Sequence, residues 1–296
     1  MRVAALFILI TLSSVTYGSE TPNGSGDSLN AKRLGIVVVG SGLVYGASIV
    51  ALNQAWYKEQ KSSFHFFNDN AQWNQVDKVG HSFSAYQLAR AGSEMFKWTE
   101  MPDAKAAIWG SVLSQAFMLP IEIFDGHAAE YGFSWGDVAA NLAGTSLFLS
   151  QELIFKEQKV KLKLSIHQTE YAALRPEVLG NGFAERLLKD YNGQTYWLSF
   201  DLYALTNKNT KIPKWLNLAL GYGAEGMVHG RETQNNAEGY DSYRQYYLGI
   251  DFDFSHVKSK NSIVKTLLFV ADMVKLPAPA LELDKNSKIN YHWFYY

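Results

Sequence analysis

"YYLGIDFDF", Tyr246 to Phe254, sets every second side chain on one face: Tyr246, Leu248, Ile250, Phe252 and Phe254. A period of two over that length argues for a strand with one apolar face. Tyr196, Leu198, Phe200 and Leu202 show the same pattern upstream, and Ile289, Tyr291, Trp293 and Tyr295 show it at the C-terminus. "WLNLALGYGAEGM", Trp215 to Met227, reads as a fourth strand, although its glycines also suit a helix end or close backbone packing. Within it, "GYGAEG" around Gly221 lacks the spacing of a nucleotide loop and is read as backbone packing. "SIVKTLLFVADMVKL", closed by Pro277, predicts an amphipathic helix. "KEQKVKLKLSIHQTEYAALRPEVLG", from Lys156, is charged and mixed, and Pro176 ends whatever precedes it. A single-chain outer-membrane barrel needs at least about eight strands. Four such segments predict instead a small sheet or partial barrel packed on helices.

The first half of the chain has a different texture. "LGIVVVGSGLVYGASIVAL", Leu34 to Leu52, carries no charge and has membrane length, with Gly42 and Gly46 forming a small-xxx-small face. It predicts a membrane-inserted helix or, alternatively, a tightly packed core helix of a soluble bundle. A second helix opens at "VDKVGHSFSAYQLAR", Val76 to Arg90, and is amphipathic, its apolar positions interrupted by Arg90, Glu94 and Lys97. A third starts near Pro102 and Asp103, since proline suits a first turn and an acid favours the N-terminal dipole. Its uncharged run from Ala106 to Ile121 contains Gln115 and Pro120. The fourth runs from Ser134 to about Phe155, with Ser134 and Asp137 in a capping-box-like start. Only the first is comfortably long enough to cross a bilayer.

Composition bounds the function. With 296 residues and a net charge of -1, the chain offers no basic stripe for nucleic acid. Charged residues make up 19%, below the usual proportion of about a quarter, and aromatics 14%, which suggests membrane contact or heavy burial. The cysteine count is zero, which excludes disulfides, thiolate metal sites, cysteine nucleophiles and lipid attachment through an N-terminal cysteine. "MRVAALFILITLSSVTYGSE" has Arg2, an apolar run to Leu12 and small residues suited to cleavage after Gly18, the pattern of a secretory signal peptide over residues 1–18. Residues 19–33 then form a flexible leader.

Polar residues recur at one end or face of three successive helices. Asp77 and His81 are four apart on one helical face, beside Lys78, with Tyr86 and Arg90 on adjoining turns. Glu122 closes the third helix's apolar run and is followed by Asp125 and His127. Asp137 and Asn141 form another i, i+4 pair. Short connections make neighbouring helices antiparallel and bring such groups together. His81 with Asp77 has the parts of an oriented acid/base, or of a satisfied buried histidine, and the second reading is preferred. Glu122, Asp125, His81 and His127 are enough ligands for zinc, but no H-E-x-x-H spacing occurs, so no metal and no cofactor are expected. "GFSWG" matches G-x-S-x-G at Ser134, yet no strand precedes it, so Ser134 is read as a helix cap.

"DKVGHSFSAYQL", "PIEIFDG" and "YGFSWGDVAANLAG" in that order resemble the D-K-x-x-H…E…D…S-x-x-D-x-x-x-N-x-x-G pattern of VanZ-like and DUF2279 (YfiM-like) cell-envelope proteins. "DYNGQTYWLS" and "LNLALGYGAEGM" resemble phrases of the bacteroidete type of DUF2279. The resemblance covers roughly residues 77–149 and implies an envelope location and a helical bundle, with no established reaction. Many YfiM-like members are predicted lipoproteins; a chain without cysteine does not carry that attachment over.

These readings predict an exported, mainly α protein with added β. A bundle of about four helices spans residues 34–156, and a mixed region with a few antiparallel strands and a helix spans 157–296. The expected role is non-enzymatic: Asp77, His81, Glu122 and Asp125, with Lys78, Tyr86, Asp137 and Asn141, form a polar network serving structure or the binding of membrane lipid or an envelope partner. The alternative is an enzyme acting on a lipid or cell-wall precursor head group, with His81 as acid/base and Glu122 or Asp125 as its partner.

Overall fold

In the computed structural model, which describes residues 29–56, 62–206, 210–285 and 288–295, the described chain holds ten helices and one six-stranded antiparallel sheet. The α+β class predicted from the change of periodicity therefore holds. The segment read as a signal peptide, and most of the leader, lie outside the described residues. The chain divides into two compact units. One takes residues up to 69, 84–158 and 260–266; the other takes 70–83, 159–259 and 267–296.

The first unit is helical. It contains α1 (Ala31–Trp56), α2 (Val76–Trp98) from residue 84 onward, α3 (Asp103–Gly126) and α4 (Trp135–Ile154). Pro102 precedes α3 and Asp103 lies in its first turn, where an acid meets the positive end of the helix dipole. Ser134 caps α4, accepting from the Asp137 N–H at 3.2 Å. Ala85 and Leu88 of α2 pack on Phe117, Met118 and Ile121 of α3, with Val44 and Tyr45 of α1 against them. Gly92 and Gly110 let α2 and α3 approach closely: a Cβ on Gly110 would lie 2.6 Å from the Ala89 carbonyl oxygen and 2.8 Å from Ser93 Cα. Elsewhere α1 is apolar and exposed, at Ile36, Val38, Val39 and Leu43.

The second unit is built on a meander of β1 (Val160–Ile166), β2 (Gln194–Asp201), β3 (Leu216–Glu225), β4 (Tyr243–Phe252), β5 (Ala278–Leu283) and β6 (Ile289–Tyr295). Short helices α5 (Tyr171–Leu174), α6 (Pro176–Leu179), α7 (Phe183–Lys189), α8 (Leu202–Leu205) and α9 (Glu232–Ala237) fill the connections, and α10 (Ser262–Ala271) precedes β5. Six strands replace the four predicted, and the two additional ones show why. In β1 the alternation places Lys161 and Lys163 at inward positions, where both are buried. Inward lysine is the opposite of the pattern that marks a half-buried strand. In β5, Pro279 interrupts the signal. The predicted helix Ser262 to Leu276 ends at Ala271, because the next residues leave it to pair with β1. Leu164 donates its N–H to the Met273 carbonyl at 3.0 Å and accepts from the Lys275 N–H at 3.0 Å. The chain then continues as β5 along β4. One segment thus bonds to both ends of the β1–β4 run, and the sheet curls back on itself.

Register sorts the two faces of this curl. One row runs Leu162, Leu198, Leu220, Leu248, Leu281 and Tyr291 across all six strands. The row beside it runs Lys163, Trp197, Gly221, Tyr247, Glu282 and Asn290. The inward row carries the charge and the small residues. Gly221 is there for space, since a Cβ would sit 2.7 Å from the Trp197 ring and 2.9 Å from Tyr247 Cβ. Close packing, the reading made from "GYGAEG", matches that geometry.

Candidate functional site

The motif helix begins with unusual backbone. Trp73, Asn74 and Gln75, all non-glycine, have φ of 50°, 47° and 63°, one left-handed turn before Val76. Such conformations cost about 1–3 kcal/mol each and persist only where surroundings over-determine them. Here the Trp73 N–H donates to the Gly230 carbonyl at 2.7 Å, Tyr222 donates its hydroxyl to the Asn74 carbonyl, and Arg244 donates to Gln75 Oε1 at 2.7 Å.

Asp77 follows in the first turn of α2. Its carboxylate accepts from the Tyr191 hydroxyl and from Lys78 Nζ at 3.4 Å, and His81 Nε2 stands 3.9 Å away. That last distance is beyond hydrogen-bond reach, so Asp77 attracts the buried His81 electrostatically without orienting it directly. Burial raises the carboxyl's proton affinity, but the His81 and Lys78 charges and the Tyr191 hydroxyl outweigh it and hold Asp77 well below the usual carboxylate range. Tyr191 was not anticipated; it lies in the single 3-10 turn before β2, with no periodic signal to mark it.

In the helical unit, Glu122, Asp137 and Asn141 are buried and Asp125 is half-buried. His127 is exposed. Amides and hydroxyls tie these helices at several points, and Lys97 of α2 lies 3.7 Å from Glu152 of α4. Ser114 of α3 donates to the Ala85 carbonyl of α2 at 2.7 Å. Gln115 of α3 donates to the Asn141 carbonyl at 3.1 Å and to Thr145 Oγ1 at 2.6 Å on α4. Tyr86 donates to Gln158 Oε1 at 3.1 Å, and Gln158 donates to the Phe148 carbonyl and to Glu152. Gln115 was visible as a lone amide in an apolar run, whereas Gln158 sits in a charged stretch that hid it. Ser134 also donates to Asp69 Oδ1 at 2.6 Å, so its hydroxyl is occupied as cap and tie.

Two further polar features lie in the sheet unit. Asp201, Asp253 and His256 present ligand atoms within 4.8 Å of one another. Protein groups already engage them: His256 Nε2 is 2.9 Å from Asp201, Asp201 caps α8 by accepting from the Ala204 N–H at 2.9 Å, and Lys161 and Ser255 each donate to Asp253 Oδ1 at 2.6 Å. A cavity of about 890 Å³ is lined by Glu225, Tyr243, Gln245, Glu282, His292 and Tyr295, among others, and by none of the motif residues. Gln245 donates to Glu282 at 2.9 Å and to Glu225 at 3.4 Å, while Tyr243 donates to Glu225 at 2.7 Å. Glu225, Glu282 and Asp284 share the wall with Lys285, His167 and His292, and the two glutamates already accept from protein donors.

The fold is mixed α+β, and the motif phrases lie on α2 to α4. Residues 65–151, less than half of the chain, match DUF2279, a predicted periplasmic lipoprotein family. That description agrees with an exported, envelope-associated protein, as the N-terminal sequence predicts. No curated protein and no solved structure matches the chain.

Proposed function

We propose that the protein is a non-enzymatic, membrane-associated component of the envelope. In this reading its helices form a bundle, its polar motif ties elements together, and its partner is membrane lipid or another envelope component. The finer kinship with VanZ-like and bacteroidete-type proteins belongs to the same reading and rests on the motif phrases. Two helices, Ala31–Val50 and Asp103–Gly126, are long and apolar enough to cross a membrane; the exposed Ile36, Val39 and Leu43 support insertion of the first.

The observation that carries the reading is the state of Asp77. An anion held by Lys78 and Tyr191, with its proton affinity depressed, is a poor general base near neutral pH. It is a good anchor. A depressed folded-state value means that Asp77 contributes stability above the ordinary carboxylate pKa of about 3.9, and this contribution is lost as pH falls through the lower folded value. Asp77→Asn and Tyr191→Phe should therefore lower the unfolding midpoint at pH 7, and Asp77→Asn should flatten its fall below pH 4. Variants as stable as the parent that nonetheless fail to restore the envelope integrity of a strain lacking the protein would favour a working site with His81 as acid/base.

A further inference from the structure

We propose that the outward face of β2 to β5 is a lipid-facing wall, held against the hydrocarbon of a bilayer. The proposal concerns the sheet unit and stands apart from the reading of the helical motif.

The sheet has inverted polarity. Inside, three lysines meet three aspartates. Lys161 Nζ lies 2.6 Å from Asp253 and 3.1 Å from Asp272, and Lys163 Nζ lies 2.7 Å from Asp251 and 3.5 Å from Asp272. Lys275 Nζ sits 4.4 Å from the centroid of the Trp197 ring. All six charged residues are buried, and Ser199 and Asn217 extend the network. Outside, Leu198, Leu218, Leu220, Leu248, Ile250 and Leu281 are each 37–48% exposed. They are neighbours in register, so the exposure is one continuous surface. Water favours the opposite arrangement: apolar surface gains about 25 cal/mol per Å² on leaving water, whereas buried charges pay desolvation. A hydrocarbon surround removes the first penalty and is the setting in which strands alternate apolar-out and polar-in.

The dimensions match this occupant. β3 and β4 have 10 residues each, within the roughly 9–11 of a bilayer-spanning strand. The aliphatic band is closed by aromatics at both ends. Tyr222 and Tyr246 pack at one end with centroids 5.6 Å apart, and Trp215 stacks on Phe252 at the other at 5.7 Å. From Tyr246 to Phe252 the rise is roughly 20 Å, close to the ~25 Å apolar band of membrane strands. The first charge on this face is the exposed Arg244, one outward position beyond Tyr246, where its guanidinium donates to Gln75 Oε1 at 2.7 Å. Backbone polarity is met at the β1 edge. The 273–275 segment pairs with β1, so the curl needs no open edge there. Inward Ala219, Gly221, Gly249 and Ala280 allow so narrow a curl. The edge strand β6 carries Tyr291, Trp293 and Phe294 exposed, residues suited to the interface, where water reaches a strand edge.

Because the chain has no cysteine, single cysteines can be labelled cleanly. The full chain, reconstituted into phosphatidylcholine vesicles, would carry a nitroxide at Leu220→Cys, Leu248→Cys or Ile250→Cys, with Thr233→Cys as a water-exposed control. A far-UV spectrum like the parent's would establish that each labelled chain is folded. Labels at 220, 248 and 250 should collide with oxygen and lose collisions with a water-soluble nickel chelate, while the label at 233 keeps them. Chelate access at all three outward positions would overturn the proposal. So would spin–spin broadening relieved by dilution with unlabelled chain, which would mean that a second copy covers the face. Failure of the motif reading would leave these labels unchanged.

Discussion

The two units hold their interiors together differently. In the helical unit, α2, α3 and α4 meet through aliphatic residues and glycines, with amide and hydroxyl ties such as Gln115, Ser114 and Tyr86 beside an ion pair of Lys97 with Glu152 at 3.7 Å. In the sheet unit, ions occupy the interior and leucines the exterior. Neutral ties tolerate small losses one at a time, because each is worth about 1 kcal/mol net. A balanced ion cluster does not, because removing one charge strands another in a dry interior.

The sharpest way to break this contrast is to unbalance the cluster. Lys163→Met leaves Asp251 and Asp272 short of a cation and should cost about 3–5 kcal/mol in denaturant unfolding. A paired Lys163→Met, Asp251→Asn variant should recover part of that loss. If Lys163→Met unfolds like the parent, the interior is wetter than its burial implies.

An intermediate effect is expected where the helical unit is tightest. Gly110→Ala places a methyl against the backbone of Ala89 and Ser93 and should cost about 1–3 kcal/mol, despite alanine's better helix propensity. An unchanged unfolding midpoint would mean that α2 and α3 separate at no cost. The smallest effect belongs to the cap. Ser134→Ala should lower stability by about 1 kcal/mol, and Ser134→Asn should retain most of it. A larger loss would assign Ser134 more than capping and its tie to Asp69.

The helical half was the more legible. Pro102, Asp103 and Ser134 mark helix starts by rules that act within one turn, and the structure places α3 and α4 there. The contacts of the motif's first turn were not legible: the left-handed turn at Trp73 to Gln75 and the Tyr191 hydroxyl come from sequence-distant pairing. In the sheet half, "YYLGIDFDF" announced a strand correctly. β1 escaped because alternation with lysine is ambiguous until a partner for the charge is known. Lys161 and Lys163 find theirs at Asp251, Asp253 and Asp272, about a hundred residues away, as in the pair separated by 92 positions.

By itself, then, the sequence determined periodicity: which stretches are helix, which are strand, and that each strand has one apolar face. These follow from local sterics and the spacing of side chains along the chain. Only the tertiary structure decided which way that face looks. Direction depends on where the opposing charges meet, and aspartates brought together by the curl of the sheet turned the lysines inward and the leucines out.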